Sequence, residues 1–197
     1  RETLPLLNQQ RASSATTPQE FAAEERRLLL KVARAAIEAF LHNQDPKLKM
    51  PAGHLAEPRG VFTTLMRNGE LRGCVGQPFA NEPLMAAVAA TAISAASHDP
   101  RFPALRLPEL PAVTISLSVL SPLFRIAPEE IEIGRHGLLI SSGPRRGLLL
   151  PEVPVHFSWS RETFLAQTCQ KAGLAPDAWR RGASIEAFST EAFSEEA

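Results

Sequence analysis

The residues with the clearest chemical potential lie in one short segment, Leu71–Gly76, whose sequence is LRGCVG. Cys74 carries a thiol, which reacts as a nucleophile in its thiolate form, and a neighbouring cation favours that form. Arg72 is two residues away and is the candidate cation. Gly73 and Gly76 flank the thiol with minimal bulk, which would let a ligand or another backbone come close. The segment therefore predicts a reactive thiol or, alternatively, a small buried cysteine beside a bulge.

A second group of polar residues begins at His98. His98 could act as a general base, Asp99 as the carboxylate that orients it, and Arg101 as an anion-binding group. The same residues also fit an ordinary helix end, because Asp99-Pro100 stops a helix and a cationic His98 complements the helix dipole. Cys74 and His98 together would form an activated nucleophile. Nothing in the sequence brings the two side chains within hydrogen-bond distance.

Other kinds of site find little support in the sequence. The five histidines are scattered, and neither cysteine has a Cys or His partner at the spacing of zinc sites, so we expect no structural metal. Neither of the glycine-rich phosphate-binding motifs, GxxxxGK[ST] and GxGxxG, occurs. Cys169 lies on an apolar helix stripe and is expected in the core. The sequence leaves the cofactor unknown.

The thiol must be positioned by a hairpin around Asn68-Gly69. This dipeptide accepts positive φ at both turn positions, which predicts a two-residue type I′ turn between strands 60–66 and 70–76. In that register residue 63 opposes residue 74, and side chains alternate between two faces. We expect one face to carry chemistry and the other to join the core. The first consists of Thr63, Leu65, Arg67, Glu70, Arg72 and Cys74, and the second of Phe62, Thr64, Met66, Leu71 and Val75.

Helices and further strands are predicted around this hairpin, which gives an α+β fold of mainly antiparallel sheets flanked by helices. A capping box at residues 17–20 predicts the start of an amphipathic helix that ends near Asn43. Apolar periodicity predicts the other elements. The helices are expected at 17–43, 84–97 and 161–172, and the later strands at 113–119, 137–140, 147–150 and 183–193.

Composition predicts one globular domain over residues 17–197, preceded by a flexible arm over residues 1–16. Of the 197 residues, 44% are hydrophobic and 21% charged, which is ordinary for a protein with a real core. The formal net charge of +0 disfavours nucleic-acid binding, because no long-range basic field is present. No apolar run reaches the roughly 20 residues of a membrane span. With only two cysteines, we expect a cytoplasmic protein without membrane attachment.

Six segments, in order, resemble the AMMECR-type domain family, also called protein A of the AmmeMemoRadiSam system. The resemblance covers residues 20–195, and the family signature L-R-G-C-[IV]-G falls on Leu71–Gly76 without departure. Because the segments are several and ordered, the likeness is more specific than any single motif. They are Pro58–Leu65, Asn68–Gly76, Ala95–Phe102, Ser118–Ser121, Arg146–Pro151 and Lys171–Trp179.

The resemblance implies an α+β fold of two unequal lobes with a cleft between them, in a family whose activity is not established. It also implies a radical-SAM enzyme and a Memo-like protein as partners, since similar bacterial and archaeal proteins are encoded beside them. Our first hypothesis is an enzyme or enzyme component centred on Cys74, with Arg72 as activator and His98 as proton carrier. The alternative is a non-catalytic binding or adaptor module for an anionic small molecule or partner protein. Its candidate ligand contacts are Thr63, Arg72, Gly73, Gly76, Asp99 and Arg101.

Overall fold

The computed structural model describes residues 20–47 and 53–195 of the chain. The predicted arm over residues 1–16 lies outside them. The chain divides into two compact units, one of which runs to Ser118 and includes the residues from Ala192 onward, while the other is Val119–Glu191. Both contain helices and sheet, so the α+β prediction is confirmed, whereas the cleft between lobes stays a prediction. No helix of the described residues is long and apolar enough to cross a membrane.

The described residues of both units form helices and strands. The helices are α1 (Ala23–Leu41), α2 (Leu84–Ser97), α3 (Glu152–His156) and α4 (Arg161–Lys171). The strands are β1 (Val61–Arg67), β2 (Glu70–Gln77), β3 (Val113–Leu120), β4 (Phe124–Arg125), β5 (Gly137–Ser142), β6 (Arg145–Leu149), β7 (Ser184–Phe188) and β8 (Thr190–Ser194).

The strands form two four-stranded sheets, with strand orders β2-β1-β3-β8 and β4-β7-β5-β6. The pairs β1–β2, β4–β7, β5–β6 and β5–β7 are antiparallel.

The first helix begins later than its predicted capping box. Glu20 is not helical, and α1 starts at Ala23 after the extended residue Ala22. The backbone amide of Ala22 donates to the carboxylate of Glu25 at 2.9 Å, so Glu25 makes the capping-box hydrogen bond that was expected of Glu20. The Glu20 carboxylate instead accepts a hydrogen bond of 2.6 Å from Arg59. Residues 17–19 of the predicted capping box lie outside the described residues, and the helical position predicted for Glu20 was wrong because this residue pairs with the distant Arg59.

The turn of the β1–β2 hairpin has the predicted geometry. Asn68 and Gly69 have φ values of 52° and 81°, both in the left-handed region that a type I′ turn requires. The pairing then departs from the predicted register. Arg67 opposes Glu70 as expected, but Leu65 opposes Gly73, so Arg72 has no partner on β1 and forms a bulge.

The bulge and the packing of α2 reverse the predicted faces of the hairpin. Val61, Thr63 and Leu65 are fully buried, and the Thr63 hydroxyl lies 2.8 Å from the hydroxyl of Thr91 on α2. This face is therefore the core face, and the prediction that it carries the chemistry was wrong. Cys74 lies on the other face, opposite Thr64.

Gly73 allows this close packing of strand and helix. A Cβ atom at Gly73 would lie 2.2 Å from the carbonyl oxygen of Ala95 on α2. At Gly76 a Cβ atom would lie 2.0 Å from Cδ1 of Phe62, its cross-strand partner. The space beside both glycines is thus occupied by the protein itself.

The second unit has its own core, in which the predicted elements appear near their expected positions. The hairpin predicted around 137–150 is β5–β6, and Ser160 caps α4 by accepting from the Thr163 amide at 3.2 Å. Burial raises the pKa of the Cys169 thiol, which is fully inaccessible as predicted. The single strand predicted at 183–193 is instead two strands, β7 and β8, in different sheets. The core consists of Ile131, Leu138, Ile140, Phe164, Leu165, Cys169 and Ala187.

The two glycines of the hairpin predict different sensitivities to substitution. Gly73→Ala forces a methyl group against the backbone of α2, so we expect a loss of about 2–3 kcal/mol in the free energy of unfolding, measured by urea denaturation. Gly76→Ala is the matched control and should cost less, because the partly exposed Phe62 ring can rotate away. Equal losses would contradict this assignment of backbone crowding to Gly73.

Candidate functional site

The Cys74 thiol lies on the partly exposed face of the hairpin, next to a hydroxyl group. Its Sγ atom is 3.3 Å from Oγ1 of Thr64, its cross-strand partner. The amide and carbonyl of Cys74 make their hydrogen bonds with Asp99 and Arg101, on the side away from β1. Cys74 and Thr64 thus form a non-hydrogen-bonded antiparallel pair, the kind whose side chains lie closest together. The hydroxyl is therefore held against the sulfur by strand geometry.

The outer edge of β2 is covered at Cys74 by two side chains. β2 is the edge strand of its sheet, and an exposed edge presents unpaired amides and carbonyls. The Asp99 carboxylate accepts the Cys74 amide hydrogen at 2.8 Å, and the Arg101 guanidinium donates to the Cys74 carbonyl at 3.4 Å. The two side chains make the hydrogen bonds that the backbone of a neighbouring strand would make. We call the pair Asp99 and Arg101 the edge clamp.

The edge clamp is itself a tight ion pair, in which the Asp99 carboxylate is buried and Arg101 is exposed. Asp99 also accepts from the Arg101 amide, Nε and Nη2 at 3.0, 2.9 and 2.7 Å, and its side chain is 3% exposed. The side-chain hydrogen bond from Arg101 is the main cause that lowers the pKa of Asp99 to about 2, and the hydrogen bond from the Cys74 amide lowers it further. Burial acts in the opposite direction and raises this pKa. Asp99 is therefore ionised at neutral pH.

Arg101, rather than Arg72, is the arginine that contacts Cys74. The hydrogen bond with Asp99 is the main cause that raises the pKa of Arg101, and the Cys74 side chain adds to the increase. Its Nη2 donates to the carbonyl of Cys74 at 3.4 Å, which places the guanidinium beside this residue. Arg72, displaced by the bulge, donates from Nε to Glu109 at 3.2 Å and from Nη1 to the carbonyl of Pro103 at 2.9 Å.

Two other predicted site residues, His98 and Thr63, make their hydrogen bonds to residues other than Cys74. His98 is exposed, its Nδ1 is 2.6 Å from the Ser97 hydroxyl, and its amide donates to the carbonyl of Ser94 at the end of α2. None of these bonds reaches Cys74, and Asp99 orients Arg101 instead of His98. Thr63 points into the core, as described above. The structure therefore brings Cys74, Asp99 and Arg101 together and leaves out His98 and Thr63.

The arrangement supplies a thiol, a hydroxyl and a guanidinium at one place on a strand edge. A guanidinium favours a nearby thiolate, and a hydroxyl can donate to it. Within the described residues, no group of three or more His, Cys, Asp or Glu side chains is placed to hold a metal ion.

Comparison with known proteins identifies the family. The AMMECR1 family model matches residues 30–193. The chain belongs to the AMMECR1 family. It is 41% identical to Protein Mbar_A1807 of Methanosarcina barkeri, covering 87% of this chain and 90% of that protein. It is 43% identical to Protein MK0488 of Methanopyrus kandleri, covering 90% and 92%.

A solved structure of an AMMECR1 relative has the same fold. A crystal structure of PH0010 from Pyrococcus horikoshii, described as an uncharacterized protein, matches with a TM-score of 0.69 at 40% identity. The match covers 86% of this chain and 90% of that chain. The resemblance drawn from the six ordered segments is therefore confirmed.

Two contacts of the site in this AMMECR1 family member were not predicted from the sequence. They are the contact of the Thr64 hydroxyl with the Cys74 sulfur and the hydrogen bond from the Cys74 amide to Asp99. Thr64 was assigned to the core face because its neighbours on that face are mostly apolar, and the register set by the turn alone paired Cys74 with Thr63 instead. Asp99 was predicted to orient His98, to end a helix with Pro100 or to contact a ligand, and not to accept the Cys74 amide. No local pattern links Asp99 to an amide 25 positions earlier in the chain. The bulge is the one feature that would have corrected the faces, and glycines near a strand centre are its only sequence signal.

The edge clamp makes stability depend on pH in a defined direction. Asp99 has a folded pKa below its unfolded value of about 3.9, so its contribution is complete well above pH 4 and is lost as pH falls toward about 2. We expect Asp99→Asn to lower the free energy of unfolding by about 2 kcal/mol at pH 7. By urea denaturation, the difference from the wild type should fall to about half at pH 3. A difference that stays constant between pH 7 and pH 3 would show that the Asp99 charge does not matter.

Proposed function

We propose that this AMMECR1 family protein is an enzyme or enzyme component in which the Cys74 thiolate is the reactive nucleophile. The observation that carries the proposal is the position of a partly exposed free thiol 3.3 Å from the Thr64 hydroxyl, in a residue whose carbonyl accepts a hydrogen bond from Arg101. The revised roles differ from the sequence hypothesis. Arg101 takes the activating role that the sequence assigned to Arg72, and Asp99 acts as a positioning residue for Arg101.

The placement of Cys74 favours reactivity over packing. Cys169, the other free cysteine, is fully buried, whereas Cys74 is partly exposed on the face opposite α2. A thiol used only as a small hydrophobe needs neither a cation nor a hydroxyl beside it. Reactive cysteines typically have an electropositive, partly exposed environment.

The chemistry that this group can perform is nucleophilic substitution at an electrophilic carbon that carries a leaving group. The thiolate donates an electron pair to the carbon and forms a C–S bond, while the leaving group departs with the electrons of the bond that breaks. The thiol proton is released to solvent before the attack. Arg101 stabilises the thiolate before attack, and the Thr64 hydroxyl can hydrogen-bond to the sulfur. His98 is not required in this scheme, because its described hydrogen bonds lie at the end of α2.

The proposed partners are a radical-SAM enzyme and a Memo-like protein. The support for these two partners is the family resemblance, since similar proteins are encoded beside a radical-SAM enzyme and a Memo-like protein. In this scheme the partners deliver the electrophile to Cys74. The proposal places this chain in the cytoplasm, where a free thiol stays reduced.

Alkylation of the folded protein tests the role of Cys74 and of its two candidate activators. With iodoacetamide at pH 7, mass spectrometry should show modification at Cys74 and little at Cys169, which serves as the internal control. Arg101→Gln should slow alkylation of Cys74 several-fold, because the thiolate loses its cation. Arg72→Gln is the matched control and should leave the rate near that of the wild type.

Two results would count against a nucleophilic Cys74. One is a thiol as unreactive as Cys169 in the folded wild type. The other is the opposite ranking of the variants, with Arg72→Gln slowing the reaction and Arg101→Gln leaving it unchanged. Circular dichroism of each variant separates a local effect on the thiol from unfolding.

A further inference from the structure

Three arginines in the first unit converge on a single carboxylate. The Glu109 carboxylate accepts from Arg67 Nη1 at 2.9 Å and from Arg72 Nε and Nη2 at 3.2 and 3.3 Å. Nε of Arg106 lies 3.9 Å from the same carboxylate. Hydrogen bonding by Arg72 is the main cause that lowers the pKa of Glu109, so this group is ionised at neutral pH.

These residues border an open depression beside the hairpin. Its volume is about 630 Å³, and its walls are partly apolar because Leu71, Phe102 and Pro103 contribute to them. Glu70 also faces it. A depression that combines an apolar wall with a few convergent charged groups is typical of a small-molecule site.

The charge of the depression is positive. Three guanidinium groups face it together with two carboxylates, Glu109 and Glu70, which leaves an excess of one positive charge. The excess is carried by accessible groups, because the side chain of Arg106 is 86% exposed and that of Arg67 is 43% exposed. Glu109 and Arg72 are 13% and 12% exposed and form a fixed floor.

We propose that this depression binds an organic anion, with one phosphate or carboxylate group held by Arg67 and Arg106 and an apolar body against Phe102 and Leu71. The planar guanidinium fork matches either oxyanion. In the described part of the chain, the Arg106 guanidinium has no ion-pair contact shorter than 3.9 Å, so its donors can turn to a ligand. Arg67 makes one hydrogen bond to Glu109 and keeps its other donors.

This site differs from the Cys74 site in its residues and does not depend on a reactive thiol. Phe102 connects the two, because it lines the depression and the Arg101 guanidinium lies 5.5 Å from the centre of its ring. Arg72, which the sequence suggested as activator of Cys74, belongs to the floor of the depression. The bulge therefore separates two adjacent functions on one strand.

Direct binding measurements test the proposal. Isothermal titration calorimetry with phenyl phosphate and with benzoate should show saturable binding to the wild-type protein, and inorganic phosphate should bind more weakly because it has no apolar body. The double variant Arg67→Gln/Arg106→Gln should bind at least about tenfold more weakly, because each lost arginine removes charge-assisted hydrogen bonds. The ranking of phenyl phosphate and benzoate identifies which oxyanion the site prefers.

A matched control and a fold check accompany the titrations. Arg135→Gln removes an exposed arginine that pairs with Glu132 at 2.9 Å in the other unit, and it should leave the affinity unchanged. Arg106→Gln alone should weaken binding without changing the melting temperature, since its side chain is 86% exposed. No saturable binding of either aromatic anion, or equal affinity in the double variant, would overturn the proposal. Neither result bears on alkylation of Cys74, so the two proposals fail separately.

Discussion

The backbone of Cys74 lies at the outer edge of a sheet, and its amide and carbonyl need partners there. Asp99 and Arg101 supply both partners through side chains, at 2.8 and 3.4 Å. This requirement fixes the segment that follows α2 against β2. It also decides which arginine lies beside Cys74, because Arg101 donates to its carbonyl whereas Arg72 donates to Glu109 and Pro103.

The bulge at Arg72 links this edge to the packing of the core. With Arg72 unpaired, Gly73 faces α2 and Cys74 faces away from it, toward Thr64. A strand without the bulge would direct Cys74 and Arg72 to the same face, as the turn alone predicts. The observed arrangement sends the Arg72 side chain toward Glu109 and leaves the thiol with Arg101. One extra residue in β2 thus separates the thiol from the arginine cluster.

Much of the fold could be predicted from local signals. Asn68-Gly69 defined the turn, the limits of α2 followed from its apolar pattern, and α4 begins after its cap Ser160. A bulge beside the glycines was one of the two alternatives for this segment, but its position at Arg72 could not be predicted, because it depends on Gly73 meeting Ala95 and on Arg72 reaching carbonyls more than 30 positions later in the chain. The start of α1 was wrong for the same reason, since Glu20 pairs with Arg59. Each error arose where a long-range contact outweighed a local preference.

The candidate site likewise has features that the sequence predicts and features that depend on long-range contacts. The sequence identified Cys74, Asp99 and Arg101 as chemical groups, and these three are found together. It assigned the wrong partners to them, because hydrogen bonds between distant strand edges and loops leave no periodic pattern. Thr64 was hidden by the shifted register. The residue types were therefore predictable from the sequence, and their geometry was not.

Amide hydrogen exchange at Cys74 tests the edge clamp most directly. An amide at an uncovered strand edge exchanges rapidly, whereas one bonded to a buried carboxylate is protected. We predict that the Cys74 amide is protected in the wild-type protein and loses that protection in Asp99→Asn, while the amides of β1 stay protected in both. A Cys74 amide that exchanges freely in the wild type, or that stays equally protected in the variant, would contradict the account.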